Sequence, residues 1–211
     1  MFACPCPDGS SAKHMIEALG VPHTEVALVV RNGRPAGFDA RIQPDDVIEA
    51  YPARHLPPGM EHGALLLRPP LPASDLRFIA DAHLGALAQL LRLVGFDTRF
   101  DNNFADDEIE RLAGEEARIV LTRDRELLKC RTLLRGYYVR ALQADGQYRE
   151  VTERLDLAPC VRAFRLCLMY NALRPASLDE IDGRVPEGVR ERHTRFVTCD
   201  ICHRVFWEGS H

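Results

Sequence analysis

Strands that alternate with helices between residues 76 and 140 constrain the fold more than any other feature of this sequence. The segments LRFIA, FDTRF, RIVLT and YYVRAL are typical of short strands, whereas AHLGALAQLLRLVG and DDEIERLAGEEA have apolar residues at helical spacing and DRELLK predicts a third, short helix. Strands joined through helices pair in parallel, because each crossover returns the chain to the same end of the sheet. The sequence therefore predicts an α/β fold with a parallel sheet flanked by helices.

Composition divides the chain into four parts. Residues 1–53 predict a small α+β module: AKHMIEALG has a helical pattern, TEVALVV alternates towards a turn at Asn32-Gly33, and VIEAY is a short strand. The proline-rich residues 54–75 predict a linker, residues 76–158 the α/β core, and residues 159–211, rich in cysteines and turns, an appendage. About fifty residues are too few for a large catalytic core, so the first part is a small module.

Charge and cysteine content exclude several classes of protein. The chain has 27 Lys and Arg against 31 Asp and Glu, so a partner such as RNA must bind a local basic patch rather than the whole surface. No run of 18 apolar residues and no signal peptide pattern is present, so we expect a cytoplasmic protein with no membrane partner. Seven cysteines, an odd number, fit reduced thiols or metal ligands better than disulfides.

Three acids follow strands or begin helices at equivalent places. Asp81 comes directly after LRFIA, Asp106 begins the second helix, and Asp124 closely follows RIVLT. In an open parallel sheet these positions face one crevice, where clustered carboxylates repel one another unless a hard cation such as Mg²⁺ or Mn²⁺ binds them. Such a metal activates water and stabilises charge on a phosphodiester, which predicts a nuclease site with Asp107 and Glu108 as supporting ligands. Each acid alone is equally well explained as a helix N-cap.

Two other acid-based sites fit the sequence poorly. A haloacid-type phosphatase needs Asp-x-Asp after its first strand, and here position 83 is His83. A response receiver needs an adjacent acid pair and a late lysine after a strand, but the chain has only Lys13 and Lys129.

Six cations lie close to Asp124, namely Arg123, Arg125, Lys129, Arg131, Arg135 and Arg140. They form the local basic patch that RNA binding requires, and Tyr137 and Tyr138 would add base stacking where exposed. We predict RNA contacts at Arg92, Arg125, Lys129 and Arg131 and a site role for Arg123. A solvated helix face with two core tyrosines, and arginines paired with structural acids, is the alternative interpretation.

Together, the segments FIADAHLGALAQLLRLVGFDT, DDEIERLA and RIVLTRDREL resemble the Mut-seven C-terminal RNase family, a branch of the PIN-like nucleases. The resemblance covers roughly residues 77–211 and implies metal-dependent cleavage of RNA. It places the family's acidic positions on Asp81, Asp106 and Asp124, with Arg123 beside the last, whereas a fourth acid at Asp145 is a weak match. His83 stands where the family has methionine.

The resemblance also implies a zinc-ribbon-like tail with two Cys-x-x-Cys knuckles. The second is intact as Cys199 and Cys202, but in the first Cys167 is followed by Tyr170 in place of a cysteine. Zinc prefers four ligands, so three cysteines leave one position for a histidine or another thiol, with the candidates His193, His203, His211 and Cys160. A degenerate ribbon held by packing alone is the alternative.

Residues 1–53 resemble the ubiquitin-like β-grasp domain that precedes this RNase domain, through GVPHTEV and DDVIEAYP. Little sequence precedes the first helix, so we expect the module to be truncated at its front. No Gly-Gly follows it, which favours an interaction or RNA-presenting role, including a protein partner, over sulfur carriage or conjugation. Cys4 and Cys6 are expected to be exposed and without a metal.

The leading hypothesis is thus a divalent-metal-dependent ribonuclease. The alternatives are an RNA-binding or adaptor protein with a vestigial PIN-like site, and an adaptor that binds only proteins through the β-grasp module. The sequence leaves the oligomeric state open.

Overall fold

A computed structural model describes residues 3–60, 66–68, 71–72, 75–163, 165–171 and 173–208. The helices are α1 (Ala12–Ala18), α2 (Gly85–Leu93), α3 (Asp106–Glu115), α4 (Ala144–Leu155), α5 (Leu178–Ile181) and α6 (Glu187–Arg190). The strands are β1 (Leu28–Arg31), β2 (Arg34–Ala36), β3 (Ile48–Tyr51), β4 (Phe78–Ala80), β5 (Thr98–Phe100), β6 (Ile119–Thr122), β7 (Gly136–Tyr138), β8 (Arg174–Pro175), β9 (Phe196–Thr198) and β10 (Val205–Trp207).

The strands form three sheets. An antiparallel sheet has the order β2-β1-β3, a parallel sheet the order β5-β4-β6-β7, and a second antiparallel sheet the order β10-β9-β8. The chain divides into two compact units, Met1–Asp75 with Ala105–Arg140 and Leu76–Phe104 with Ala141–His211. The predicted fold class, a parallel sheet flanked by helices with an N-terminal β-grasp-like module, is confirmed.

The β-grasp-like part is built as its sequence pattern predicts. Ser11 caps α1 by accepting a hydrogen bond from the backbone N–H of His14 at 3.2 Å. The β1–β2 hairpin turns at Asn32 and Gly33, whose φ angles of 51° and 77° suit the tight turn that Asn-Gly favours. Its core contains the buried residues Ala12, Met15, Ile16, Val26, Val29 and Ile42.

The central strands of the parallel sheet are buried along their length. All three residues of β4 are fully buried, as are Val120, Leu121 and Thr122 in β6. Helix α2 buries Leu87, Ala88 and Leu91, the apolar positions that helical spacing places on one face. Because side chains inside these strands have no access to water, polar chemistry is confined to the strand ends.

Two predicted helices differ from the structure. The segment DRELLK forms a 3-10 helix at Leu127–Lys129 rather than an α-helix, because the backbone N–H of Lys129 donates to the carbonyl of Glu126, three residues earlier. Helix α4 begins at Ala144, well before the predicted segment EVTERLDL. The sequence does not reveal this start, because only Gln147 and Val151 are buried on the helix and its first turn has no apolar pattern.

Part of the predicted linker packs against the β-grasp-like part. The backbone N–H of Leu67 donates to the carbonyl of Ala27 at 2.8 Å, and the Arg68 guanidinium donates to the carbonyls of His23 and Val26 at 2.8 and 3.1 Å. Linker residues 61–65, 69–70 and 73–74 lie outside the described residues. None of the described helices is both long and apolar enough to cross a membrane.

Substitution of two glycines by alanine tests the backbone conformation and packing at Gly95 and Gly114. We expect opposite effects on stability at the two positions. Gly95 has a φ of 97°, and a Cβ there would overlap the backbone of Arg162, so Gly95→Ala should destabilise the protein by about 2 kcal/mol or more. Gly114 lies in α3 with no atom within 4 Å of a built Cβ, so Gly114→Ala should stabilise it by about 0.5 kcal/mol. Urea unfolding measures both, and equal shifts would contradict the prediction.

Candidate functional site

Asp81 is the first residue after β4 and is half-buried. Its carboxylate caps the 3-10 helix Ala82–Leu84 by accepting a hydrogen bond from the backbone N–H of Ala82 at 2.5 Å. Asp81 is therefore an N-cap, as the alternative explanation of this acid predicts. Capping uses one face of a carboxylate and is compatible with a second ligand, so a metal role for Asp81 stays a prediction.

Asp124 is the second residue after β6 and is exposed. Its backbone N–H donates to the Thr122 hydroxyl at 2.8 Å, and its Oδ1 accepts from the backbone N–H of Glu126 at 2.7 Å. These two bonds fix the turn that leaves the strand. They hold the carboxylate at the strand end, which is the placement predicted from the sequence.

Asp106 and Asp107 are the first two residues of α3 and are exposed. The N-cap of this helix is Ala105, with no side-chain hydrogen bond, so Asp106 lies inside the first turn rather than at the cap position. The helix dipole favours acids in the first turn, but it stabilises a helix less than a side-chain hydrogen bond at the N-cap does. Of the three acids, only Asp81 is therefore an N-cap, because the 3-10 helix that follows Asp124 has Glu126 at its cap position.

The basic residues that follow β6 surround the end of β7. Arg123 is half-buried and donates to the carbonyl of Arg140 at 3.2 Å. The guanidinium carbons of Arg125 and Arg140 lie 4.8 and 5.6 Å from the centre of the Tyr138 ring. A cation over a tyrosine face is attracted by the ring, so Tyr138 helps to position both arginines.

The other predicted RNA-binding residues have different surroundings. Lys129 is exposed and its Nζ lies 2.6 Å from Glu126 Oε1, and Arg131 is exposed. Arg92 is only 4% exposed; its guanidinium donates to the carbonyls of Thr98, Leu168 and Met169, each at 2.8 Å. This burial favours a structural role for Arg92 over the predicted RNA contact.

Three cysteines come together in the C-terminal part. The sulfurs of Cys167, Cys199 and Cys202 lie within 4.8 Å of one another, with Cys167 and Cys202 separated by 3.7 Å. Within the described residues, no histidine, acid or fourth cysteine joins this group, although Cys160, His193 and His203 are all described. His211, the remaining candidate ligand, lies outside the described residues.

Backbone N–H groups point at the sulfurs of this cysteine cluster. The N–H of Met169 lies 3.4 Å from the Cys167 sulfur, although burial raises the pKa of Cys167 to about 11. Burial opposes ionisation of Cys199 as well, but N–H groups of Cys202 and Ile201 bond to its sulfur and hold its pKa below the ordinary thiol value. Of the two sulfurs, that of Cys199 is therefore better suited to the thiolate form, the form that binds Zn²⁺.

Tyr170 occupies the knuckle position that lacks a cysteine and is 49% exposed. The next residue, Asn171, has a φ of 63° and binds β5: its amide donates to Asp97 Oδ1 at 2.9 Å and to the Thr98 carbonyl at 3.2 Å, and its Oδ1 accepts from the Thr98 N–H at 3.3 Å. No pattern in the sequence predicts that Asn171 binds this segment. The only local signal was that asparagine tolerates a left-handed conformation.

An ion-pair network holds the second knuckle. The Arg174 guanidinium lies 2.6 Å from both Asp200 and Glu180, and Glu180 also closes a capping box with Ser177 at the start of α5. Arg174 and the Ser177 donors lower the pKa of Glu180 to about 2. The network therefore links β8, α5 and the turn between Cys199 and Cys202.

Two family models match the chain, and together they cover most of its length. The family model described as the Mut7-C RNAse domain matches residues 76–211, which is more than half of the chain. The chain belongs to the Mut7-C RNase family. A second model, described as Mut7-C ubiquitin, matches residues 1–56, so the predicted pairing of a ubiquitin-like module with this RNase domain is confirmed.

Membership of the Mut7-C RNase family indicates a nuclease of RNA. The cysteine cluster fits the zinc-ribbon-like tail predicted for this family and is compatible with a bound metal. No curated protein matches the chain significantly. No solved structure matches it significantly either.

The burial of Arg92 leads to a test that separates a structural role from RNA binding. Arg92→Met leaves one buried and two partly buried carbonyls without their donor and should lower the free energy of unfolding by about 3 kcal/mol. Arg165→Met, a change at an exposed arginine, should shift it by less than about 0.5 kcal/mol. Urea unfolding measures both variants, and an Arg92→Met protein of normal stability but weakened RNA affinity would contradict the structural role.

Proposed function

We propose that this chain is a divalent-metal-dependent ribonuclease that hydrolyses RNA phosphodiester bonds. The observation that carries the proposal is an acid at the end of each of two buried strands, β4 and β6, within a chain of the Mut7-C RNase family. Asp81, Asp106 and Asp124 are the proposed metal ligands, with Asp107 in support. Arg123 is the proposed phosphate contact.

The donor set fits Mg²⁺ or Mn²⁺. All proposed ligands are carboxylates, and those of Asp106, Asp107 and Asp124 are on exposed residues, where an ion can keep several of its waters. A divalent ion bound there would supply an activated water and would neutralise charge on the phosphodiester. Local hydrogen bonds orient the Asp81 and Asp124 side chains before any ion binds.

Asparagine substitution at the strand ends tests the catalytic proposal. Asp81→Asn and Asp124→Asn each keep the size of the side chain but remove its charge, so each should lower the rate of RNA cleavage by about 100-fold or more. Asp179→Asn, on the exposed face of α5, is the matched control and should cleave normally. The measurement is cleavage of labelled RNA with Mg²⁺, with Mn²⁺ and with chelator.

Two results would count against this function. Full cleavage by both variants would exclude their carboxylates from the site. Binding of RNA without cleavage under any metal condition would favour an RNA-binding protein with a vestigial PIN-like site.

We further propose that Cys167, Cys199 and Cys202 bind Zn²⁺ as a structural site. The three sulfurs are already close together, and those of Cys167 and Cys199 receive backbone N–H donors, which compensates for part of the cost of burying thiolates. Tyr170 leaves the set one thiolate short of the usual four, so the affinity should be lower than that of a four-cysteine ribbon.

Restoring the missing thiolate tests the zinc proposal. Tyr170→Cys should raise Zn²⁺ affinity by about tenfold or more, and Cys199→Ser should abolish stoichiometric binding. Tyr148→Cys adds a thiol in α4 instead and serves as the control, with unchanged affinity. Competition with a chromophoric chelator measures all four proteins, and equal gains from both added cysteines would show that position 170 is not at the metal.

A further inference from the structure

Strand β7 is the last strand of its sheet, and its outer edge is bonded by the ubiquitin-like module. The N–H of Val139 donates inward to the Thr122 carbonyl at 2.8 Å, so the N–H of Tyr138 points away from β6. That N–H donates to Glu25 Oε1, also at 2.8 Å, and Glu25 is 7% exposed. A buried carboxylate from the module thus satisfies a backbone donor that an edge strand would otherwise present unpaired.

A second link holds the segment just before β7. The Arg68 guanidinium, which donates to the His23 and Val26 carbonyls of the module, also donates to the carbonyl of Leu134. Its carbon lies 5.1 Å from the centre of the Phe38 ring. Glu25 of the module and Arg68 of the linker therefore hold β7 near both of its ends.

The aromatic ring of Tyr138 makes cation–π contacts with two arginines. Arg125 and Arg140 both lie over it, and Arg140 also donates to the Tyr138 carbonyl at 3.2 Å. We call Tyr138, Arg125 and Arg140 the arginine clamp.

The arginine clamp lies next to the proposed catalytic acid along the chain and in the sheet. Tyr138 is the register partner of Thr122, whose hydroxyl accepts from the backbone N–H of Asp124, and Arg125 is the next residue. Both arginines are exposed, so their guanidinium groups can reach an anion in solvent. Paired guanidinium groups are well suited to phosphate, because each offers several N–H donors in a plane.

We propose that the ubiquitin-like module acts within its own chain to hold the arginine clamp, and that the clamp binds the phosphate backbone of an RNA strand beside Asp124. The identity of the ligand as RNA rests on the proposed ribonuclease function. Glu25 and Tyr138 are positioning residues, and Arg125 and Arg140 are the phosphate contacts. This gives the module a role in substrate binding that needs no second protein.

The salt dependence of RNA binding tests the contacts directly. Affinity for a short fluorescent single-stranded RNA is measured by anisotropy in buffer without Mg²⁺ or Mn²⁺, so that no cleavage occurs, over a series of KCl concentrations. Arg125→Gln and Arg140→Gln should each weaken binding about three- to tenfold and reduce the slope of log affinity against log salt by about 0.7. Arg34→Gln, at an exposed arginine of β2, is the control and should change neither quantity.

Paired substitutions test the positioning residues. Tyr138→Ala should reduce affinity and slope about as much as losing one arginine, whereas Tyr138→Phe keeps the aromatic face and should bind like wild type. Glu25→Ala should reproduce the Tyr138→Ala result, whereas Glu25→Gln retains an oxygen acceptor and should not. Urea unfolding of each variant separates loss of binding from loss of folding.

The outcomes distinguish this proposal from the ribonuclease proposal. Normal slopes for both arginine variants would overturn the clamp even if Asp124→Asn abolishes cleavage. Reduced slopes in a protein that cleaves no RNA would support the clamp and overturn the nuclease. A Glu25→Ala protein that is less stable but has a normal slope would overturn the role of the module and reduce Glu25 to a packing residue.

Discussion

The burial of β4 and β6 decides where this protein can carry out chemistry. Every residue of β4 is fully buried, so an ionised side chain within it would pay a large desolvation cost. The first residue at which a carboxylate regains contact with water is the one after the strand, and Asp81 occupies that position. The same constraint places Asp124 just beyond β6, where its turn is fixed by hydrogen bonds to Thr122 and Glu126.

The sequence predicts these strands, α2 and the strand-end acids because each depends on a local pattern. Leu87, Ala88 and Leu91 share one helix face whatever the rest of the chain does. The bonds that connect distant segments have no such signal: Glu25 and Tyr138 are 113 residues apart, and Asn171 and Thr98 are 73 apart. A single sequence contains nothing that pairs these positions, so they emerge only from the folded chain.

Arg92 shows how far a local pattern reaches. The apolar spacing around it predicts a buried helix, and the RNA contact at Arg92 stays a prediction beside its structural alternative. In the structure the guanidinium replaces water for three backbone carbonyls, two of them in the turn that follows Cys167. Together with Asn171, it fastens the segment that follows Cys167 to α2 and to the start of β5.

The bond between Glu25 and the Tyr138 N–H also changes what the edge of β7 offers to other molecules. A strand edge with free N–H and C=O groups can pair with the edge of another molecule, and tyrosines such as Tyr137 and Tyr138 favour strand pairing. The Glu25 side chain already accepts from the Tyr138 N–H, so a further strand could not form its ladder bond at that position without displacing it. Residues of the ubiquitin-like part therefore occupy a place at which a foreign strand would otherwise add to the sheet.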